Sequence, residues 1–255
     1  MRHFLRNRAL SLLGYFKKIT NGIHILNSHY ISKENIPKEV FFELLNSLSK
    51  QADFIKIEEA VKAIKEKTHK NQKLIAFTFD DGFEECYTKI APVLKEFKTN
   101  AAFFINPAFI DADEEYKNYF LNEMVHTPHK NPMTWEMIKS LHVQGFIIGN
   151  HTYNHFKLVS LDGDELNRQI ILSKQYIEQK LNAPCQYFAW TYGGLKDIDN
   201  AALTLALQSH QYVFSSDNYT RYFSYNNKVL NRRHIEGNWP LSHVVYFLSK
   251  PKTYQ

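Results

Sequence analysis

Residues 74–82 read LIAFTFDDG, and no other stretch limits the fold as strongly. An apolar run of this kind reads as a strand buried on both faces, as in a parallel sheet covered by helices. It runs straight into two adjacent carboxylates, Asp80 and Asp81, and Gly82 then permits a sharp exit. In α/β folds the loops at the carboxyl ends of strands carry the chemistry. Two neighbouring carboxylates repel each other unless a cation or a shared proton lies between them. The other reading is a turn in which one aspartate caps the next helix, and this stretch alone does not separate the two.

The rest of the chain supplies the sheet that such a strand needs. Residues 22–30 (GIHILNSHY) read as a first strand, with His29 at its end. There a polar residue opening a loop is preferred over a group lining a site. Pro37 opens a helix, residues 53–57 are strand-like, and residues 57–67 form an amphipathic helix with Glu early and Lys late. After the DDG strand come a helix over 84–98 and a strand over 99–107. Residues 111–130 are polar and irregular, and the expectation is a long loop or inserted hairpin above the carboxyl ends of the strands. His126 and His129 within it are read as solvated. Thr134 caps a helix that Gly145 ends, and the strand FIIG delivers Asn150 and then HTYNH, His151–His155. A long helix (161–180), strands at 186–190, 212–215 and 229–235, and helices at 199–210 and 241–249 complete the series. This alternation argues for one α/β domain whose parallel sheet is closed, or nearly closed, into a barrel.

Two strand ends therefore hold candidate ligands: Asp80 and Asp81 on one, His151 and His155 on the other. Histidines four apart lie on one face of a helical turn, where both reach one cation. A carboxylate with two imidazoles suits zinc or another divalent transition metal, with positions left open for water and substrate. A second carboxylate beside it can take a proton from water. HxxxH by itself is equally two solvated or capping histidines; its conjunction with a strand-end DDG carries the argument.

Composition closes off other classes. The 255 residues and 44% hydrophobic content are enough for one large domain. A formal charge of +5 without a Lys/Arg-rich block does not imply nucleic acid, although a cationic surface could hold an acidic polymer or an anionic membrane face. Cys86 and Cys185 make neither a disulfide framework nor a CxxC metal pair. No span of about 18 apolar residues occurs, so no membrane-crossing helix is expected. Residues 1–20 form a separate amphipathic extension, with Leu5, Leu12, Leu13 and Phe16 on one face and Arg and Lys elsewhere. A helix packed on the domain is preferred there over a membrane-surface anchor. No secretory signal is evident, so the expected location is the cytoplasm, peripherally at the inner membrane face if the anchor reading holds.

With these residues in hand, the chain resembles the polysaccharide deacetylase family, the NodB homology domain of carbohydrate esterases. TFDDG at Thr78–Gly82 and HTYNH at His151–His155 carry the resemblance, and TWEMIKSLHVQGFIIGNHTYNH fits the family's helix–strand–ligand segment throughout. The resemblance runs from Ile23 to the C-terminus, so residues 21–255 are expected to be a single catalytic domain. It implies a distorted (β/α)7 barrel, with fewer strands than the eight of a TIM barrel.

By position, the resemblance makes Asp81, His151 and His155 the metal ligands and Asp80 the general base. The metal would be zinc, with cobalt, manganese or nickel as alternatives. The family's third motif, Arg-x-Pro-Tyr/Phe-Gly, reads Ala189-Trp190-Thr191-Tyr192-Gly193 here, so Ala189 and Thr191 replace its Arg and Pro. Tyr192 matches, and its backbone N–H would face the oxyanion. The missing Arg, which orients the base, resembles the variant of biofilm and capsule polysaccharide deacetylases. Arg232 or Arg233 is the substitute, with Arg233 preferred. Leu241-Ser242-His243 matches the family's Leu-x-His general-acid motif in letters but reads as helix, and His234 is the alternative acid. Tyr153, Phe156, Trp190, Tyr192 and Trp239 are candidates to stack on sugar, with Phe156 assigned to the core and Trp190 and Trp239 left open. The implied substrate is an N-acetylated glycan or its precursor. Hydrolysis of another linear or cyclic amide, or non-catalytic polysaccharide binding, are the competing readings.

Overall fold

The computed structural model describes residues 10–69 and 71–254. Among the described residues ten strands make one sheet: β1 (Gly22–Ser28), β2 (Asp53–Phe54), β3 (Lys73–Phe79), β4 (Ala101–Ile105), β5 (Ile147–Asn150), β6 (Tyr187–Ala189), β7 (Tyr212–Ser215), β8 (Phe223–Ser224), β9 (Val229–Asn231) and β10 (Arg233–His234). Neighbours run β10-β1-β3-β4-β5-β6-β7-β9-β8, with β2 beside β3, and only β8–β9 is antiparallel. β9 pairs with β7 and β10 pairs with β1, so the single run Val229–His234 changes neighbours at Arg232 and joins the two ends of the curled sheet. Parallel positions are thus β1, β3, β4, β5, β6, β7 and β9/β10, as expected for a distorted seven-position barrel.

The period of two along β3 sorts its side chains into layers. Leu74 and Ala76 join Ile23, Ile25, Phe104, Ala189 and Phe214 inside the curl. Ile75, Phe77 and Phe79 instead pack under the outer helices with Phe41, Leu45 and Leu94. Thr78 and Asp80 continue the inward file, so a carboxylate emerges at the carboxyl end of the interior. Helix Ile57–Glu66 packs Ile57, Ala60, Val61 and Ile64 against the inner cluster. Cys86 and Cys185 are buried and free.

Two expectations change. Residues 111–130 are mostly helical: Asp113 caps Glu114–Tyr119, and Phe120–Met124 continues as a π-helical turn. Its apolar residues explain this, since Phe120 stacks on Phe109 at 4.0 Å and Leu121 is also buried. The helix at residues 10–15 does pack on the domain, but not by its apolar face. Ser11 and Gly14 make the contact, while Leu12, Leu13 and Phe16 face outward. Leu5 lies outside the described residues.

Candidate metal centre

β3 ends by placing Asp80 and Asp81 in opposite surroundings. Asp80 continues the extended file, and its N–H donates to Ser28 O at 2.9 Å. Asp81 then turns to φ 74° and Gly82 to φ 84°. A Cβ on Gly82 would be strained by the left-handed backbone and would also press on Ile110 Cδ1 at 3.0 Å and Ile105 Cγ2 at 3.1 Å. The turn aims the Asp81 carboxylate at the loop leaving β5.

That loop is not the helical turn that the His spacing suggested. Thr152 has φ 67° and His155 φ 65°, and residues 151–157 are irregular. Side chains hold it. Asn106 Nδ2 donates to the carbonyls of His151 and Thr152, the latter at 3.2 Å. Gln169 Oε1 accepts from the N–H groups of Tyr153 and Asn154 at 3.1 and 3.3 Å. Thr191 Oγ1 donates to Phe156 O at 2.6 Å. These groups are buried, and their positions were not apparent from any motif.

The result brings His151 Nε2 and His155 Nε2 to 3.4 and 3.2 Å from Asp81 Oδ1. All three residues are buried, and their candidate ligand atoms lie within 4.8 Å of one another. His151 Nδ1 is 2.7 Å from Ala189 O. A carbonyl only accepts, so Nδ1 carries the proton and the Nε2 lone pair of the neutral ring faces a carboxylate. Asp81 Oδ1 is buried with no hydrogen-bond partner. Two acceptors turned toward each other require a cation or an added proton between them. Zinc, with bonds of about 2.1 Å, would separate its ligand atoms by about 3.4 Å, close to the 3.4 and 3.2 Å between Asp81 Oδ1 and the two Nε2 atoms. The donor set therefore fits a divalent metal. Burial works against charge here, but His155, His29 and His151 hold Asp81 well below the usual carboxylate range. His151 is raised despite burial, chiefly by Asp80 and Asp81.

Asp80 lies beside this centre without joining it. Arg232 grips it in bidentate fashion, Nη1 to Oδ1 at 2.7 Å and Nη2 to Oδ2 at 2.9 Å. Arg232 is fully buried, and it also donates to Thr78 Oγ1 at 3.1 Å and Ser216 Oγ at 3.2 Å. Burial would raise Asp80, but Arg232, with His151 and His29 beside it, keeps the carboxyl below its ordinary value. Arg233, preferred from sequence, points the other way. Its guanidinium lies 3.5 Å from the Phe247 ring centre and 4.6 Å from that of Tyr219. The partner of Asp80 is therefore Arg232, because the strand alternates and only one of two neighbours faces inward.

A cavity of about 190 Å³ opens over Asp81 and His155 and is walled by His29, Tyr30, Met124, Val125 and Tyr192. Met124 and Val125 come from the helical cover, and Phe120 packs edge-on against His155 at 5.6 Å between ring centres. Tyr192 is in the left-handed region at φ 63°, half exposed, with its ring 5.0 Å from that of His155.

His29 faces this cavity, whereas sequence favoured a plain loop residue. His234 stands behind it, with ring centres 5.5 Å apart and Nε2 held by Glu236 Oε1 at 3.1 Å. His243 lies in helix Leu241–Leu248 with Nε2 2.8 Å from Ser11 Oγ, and it does not line the cavity. Trp190 is fully buried and donates to Gly194 O at 2.9 Å. Phe156, assigned to the core from sequence, is exposed. His126 and His129 are exposed.

Comparison with known proteins agrees with this architecture. The profile of the family described as polysaccharide deacetylase matches residues 67–213. A peptidoglycan-N-acetylglucosamine deacetylase of Bacillus cereus is 28% identical over 115 residues, 45% of this chain and 44% of that protein. A peptidoglycan-N-acetylmuramic acid deacetylase of Bacillus subtilis is 28% identical over 100 residues, 39% of this chain and 30% of that protein. The chain thus spans less than half the length of these curated relatives. Among solved structures, the Streptococcus pyogenes deacetylase PplD in complex with acetate superposes with a TM-score of 0.68 at 18% identity, covering 88% of this chain and 96% of that one. IcaB from Ammonifex degensii gives a TM-score of 0.68 at 20% identity, covering 90% and 99%. At these identities the likeness is one of fold.

Proposed function

The chain belongs to the polysaccharide deacetylase family of hydrolases acting on carbon–nitrogen bonds other than peptide bonds, and from that premise we propose that it removes N-acetyl groups from the sugars of a glycan or glycan precursor with the help of a divalent metal. The observation that carries this reading is the convergence of Asp81, His151 and His155 beside an independently held Asp80. The naming of two relatives as peptidoglycan deacetylases supports a glycan substrate. Acetate, the expected product, accompanies the related fold of PplD.

Asp81, His151 and His155 would hold the metal, zinc being the reading that the donor set favours. Bound there, the metal would supply Lewis acidity toward the acetyl carbonyl and lower the pKa of water nearby. The chain's own groups do the rest. Asp80, kept ionised by Arg232, accepts the proton of the attacking water. The Tyr192 N–H donates to the carbonyl oxygen as it gains charge. His29, at the cavity wall, is the group placed to hand a proton to the leaving sugar nitrogen; burial lowers its pKa, and the carboxylates of Asp81, Asp80 and Glu236 work against that lowering. Water adds to the carbonyl, the C–N bond breaks, and acetate and a free amine leave. Met124, Val125 and Tyr30 narrow the cavity around the small acetyl group.

Acetate release from N-acetylhexosamine oligomers, with metal content measured alongside, tests the proposal. Asp81→Ala is expected to lose the metal and all turnover. Asp80→Asn is expected to keep the metal and lose about 10²–10⁴-fold in rate. Equal metal occupancy and equal activity in both variants would defeat the assignment, and so would opening of a small cyclic amide with no acetate released from any oligomer.

A further inference from the structure

The formal charge of the whole chain is +5, and Arg2, Arg6, Arg8, Lys17 and Lys18 account for all of it. No acidic residue precedes Glu34, and beyond residue 18 positive and negative charges balance. Beside the exposed Lys17 and Lys18 stands a patch of large apolar side chains open to water: Leu12 is 66% exposed, Leu13 49%, Tyr15 78% and Phe16 77%. These side chains are not buried in the domain core. The helix seats itself by its small residues instead. A Cβ on Gly14 would meet Ser242 O at 1.8 Å, and Ser11 Oγ lies 2.8 Å from His243 Nε2. The apolar side chains are thereby held outward on an anchored segment.

We propose that residues 10–18 dock this domain on an anionic lipid surface, with Leu12, Leu13, Tyr15 and Phe16 entering the headgroup–acyl boundary and the flanking cations meeting lipid phosphates. An exposed apolar stretch followed by Lys17 and Lys18, in a segment with no acidic residue before Glu34, is the pattern that interfacial helices present to such membranes. A polar protein partner would not require the apolar side chains, and a purely apolar partner would not require the uncompensated charge. The placement also fits the reaction proposed above, on which this part alone rests. Ser242 lies in the first turn of the helix that follows β10. From there Trp239 lies 6.0 Å from His234, and His234 5.5 Å from the cavity-lining His29, between ring centres. The substrate would then be an N-acetylated glycan presented at the membrane surface.

Sedimentation of the full chain with phosphatidylglycerol or phosphatidylcholine vesicles, beside acetate release from soluble N-acetylhexosamine oligomers, tests this. The expected result is binding to the anionic vesicles that weakens with salt. Leu12→Asp with Phe16→Asp should reduce it by about tenfold or more per side chain, and Lys17→Glu with Lys18→Glu by about fivefold per lost cation. Turnover on soluble oligomers should be unchanged in both. Failure of the full chain to sediment with anionic vesicles at low salt overturns the proposal. Wild-type binding by both variants also overturns it, as does a dimer that Leu12→Asp with Phe16→Asp abolishes while no vesicle binding is seen. Vesicle binding with no acetate release supports docking and defeats the deacetylase reading instead.

Discussion

Arg232 and Arg233 are neighbours of identical chemistry with different surroundings, and the pleat of the strand is the cause. Arg232 points inward, is fully buried and closes two hydrogen bonds on Asp80. Such a pair is maintained only while both partners are present; removing one strands a buried charge at a cost of about 3–5 kcal/mol. Arg232→Met should therefore lower stability by that order and abolish turnover. Arg232→Lys should keep most of the stability and lose rate, because an ammonium cannot present two parallel donors to Asp80. Arg233→Gln removes a stacking contact with Phe247, worth about 0.5–1 kcal/mol at a surface, and should leave kcat in place. Denaturant midpoints with kcat for the three variants decide it; a dead Arg233→Gln beside an active Arg232→Met would reverse the assignment.

At the scale of elements, the loop leaving β5 carries the ligands without any regular structure of its own. Two non-glycine residues in left-handed conformation, Thr152 and His155, are costly unless neighbours impose them. Asn106, on the exit of β4, and Gln169, in the π-helical stretch Arg168–Leu172, impose them through backbone hydrogen bonds. Asn106→Ala or Gln169→Ala should leave the barrel folded and weaken metal affinity by about 10–100-fold, the usual effect of losing groups that orient ligands. Competition with a chelator measures it, and unchanged affinity in both variants would show that the loop holds its own shape. The helical cover acts differently. Phe120 and Leu121 fasten it to the domain, which leaves Met124 and Val125 as a fixed wall of the cavity.

For the whole molecule, two buried histidines away from the cavity set the response to acid. His24, on β1, is lowered to about 4 by burial and by Lys252. His210, against Asn150 and Ser209, is lowered to about 3 by burial and by Lys174. Below the ordinary value of 6.5 the unfolded chain binds protons that the folded chain refuses. Stability from these groups is thus complete above pH 6.5 and is lost as pH falls toward 4 and then 3. In that window the raised His151 retains its full contribution, present below 6.5, and the lowered Asp80 retains its own, present above 3.8. These two should supply a slope approaching two protons, or about 2.7 kcal/mol per pH unit, and His29, also lowered by burial, adds to it in the same direction. Urea midpoints of metal-free protein between about pH 7 and pH 4.5 test this. His210→Asn should flatten the slope by as much as one proton, and a slope absent from the parent protein would refute the account.

The order of strands and helices, the parallel sheet and the pairing of DDG with HTYNH were legible in the residues, because burial on both faces and ligand chemistry leave marks on composition and spacing that short windows capture. Residues 111–130 were misjudged because their polar residues outnumber the few, Phe120 and Leu121 among them, whose burial makes the segment helical. The choice of Arg232 over Arg233, the exposure of Leu12 and Phe16, and the placing of His29 at the cavity were decided only in three dimensions. Each depends on which side of a strand or helix meets a partner far away in the chain: Asp80 for Arg232, Ser242 for Gly14, the Met124 wall for His29. Local sequence states what a residue is able to do, and long-range packing determines which neighbour it does it with.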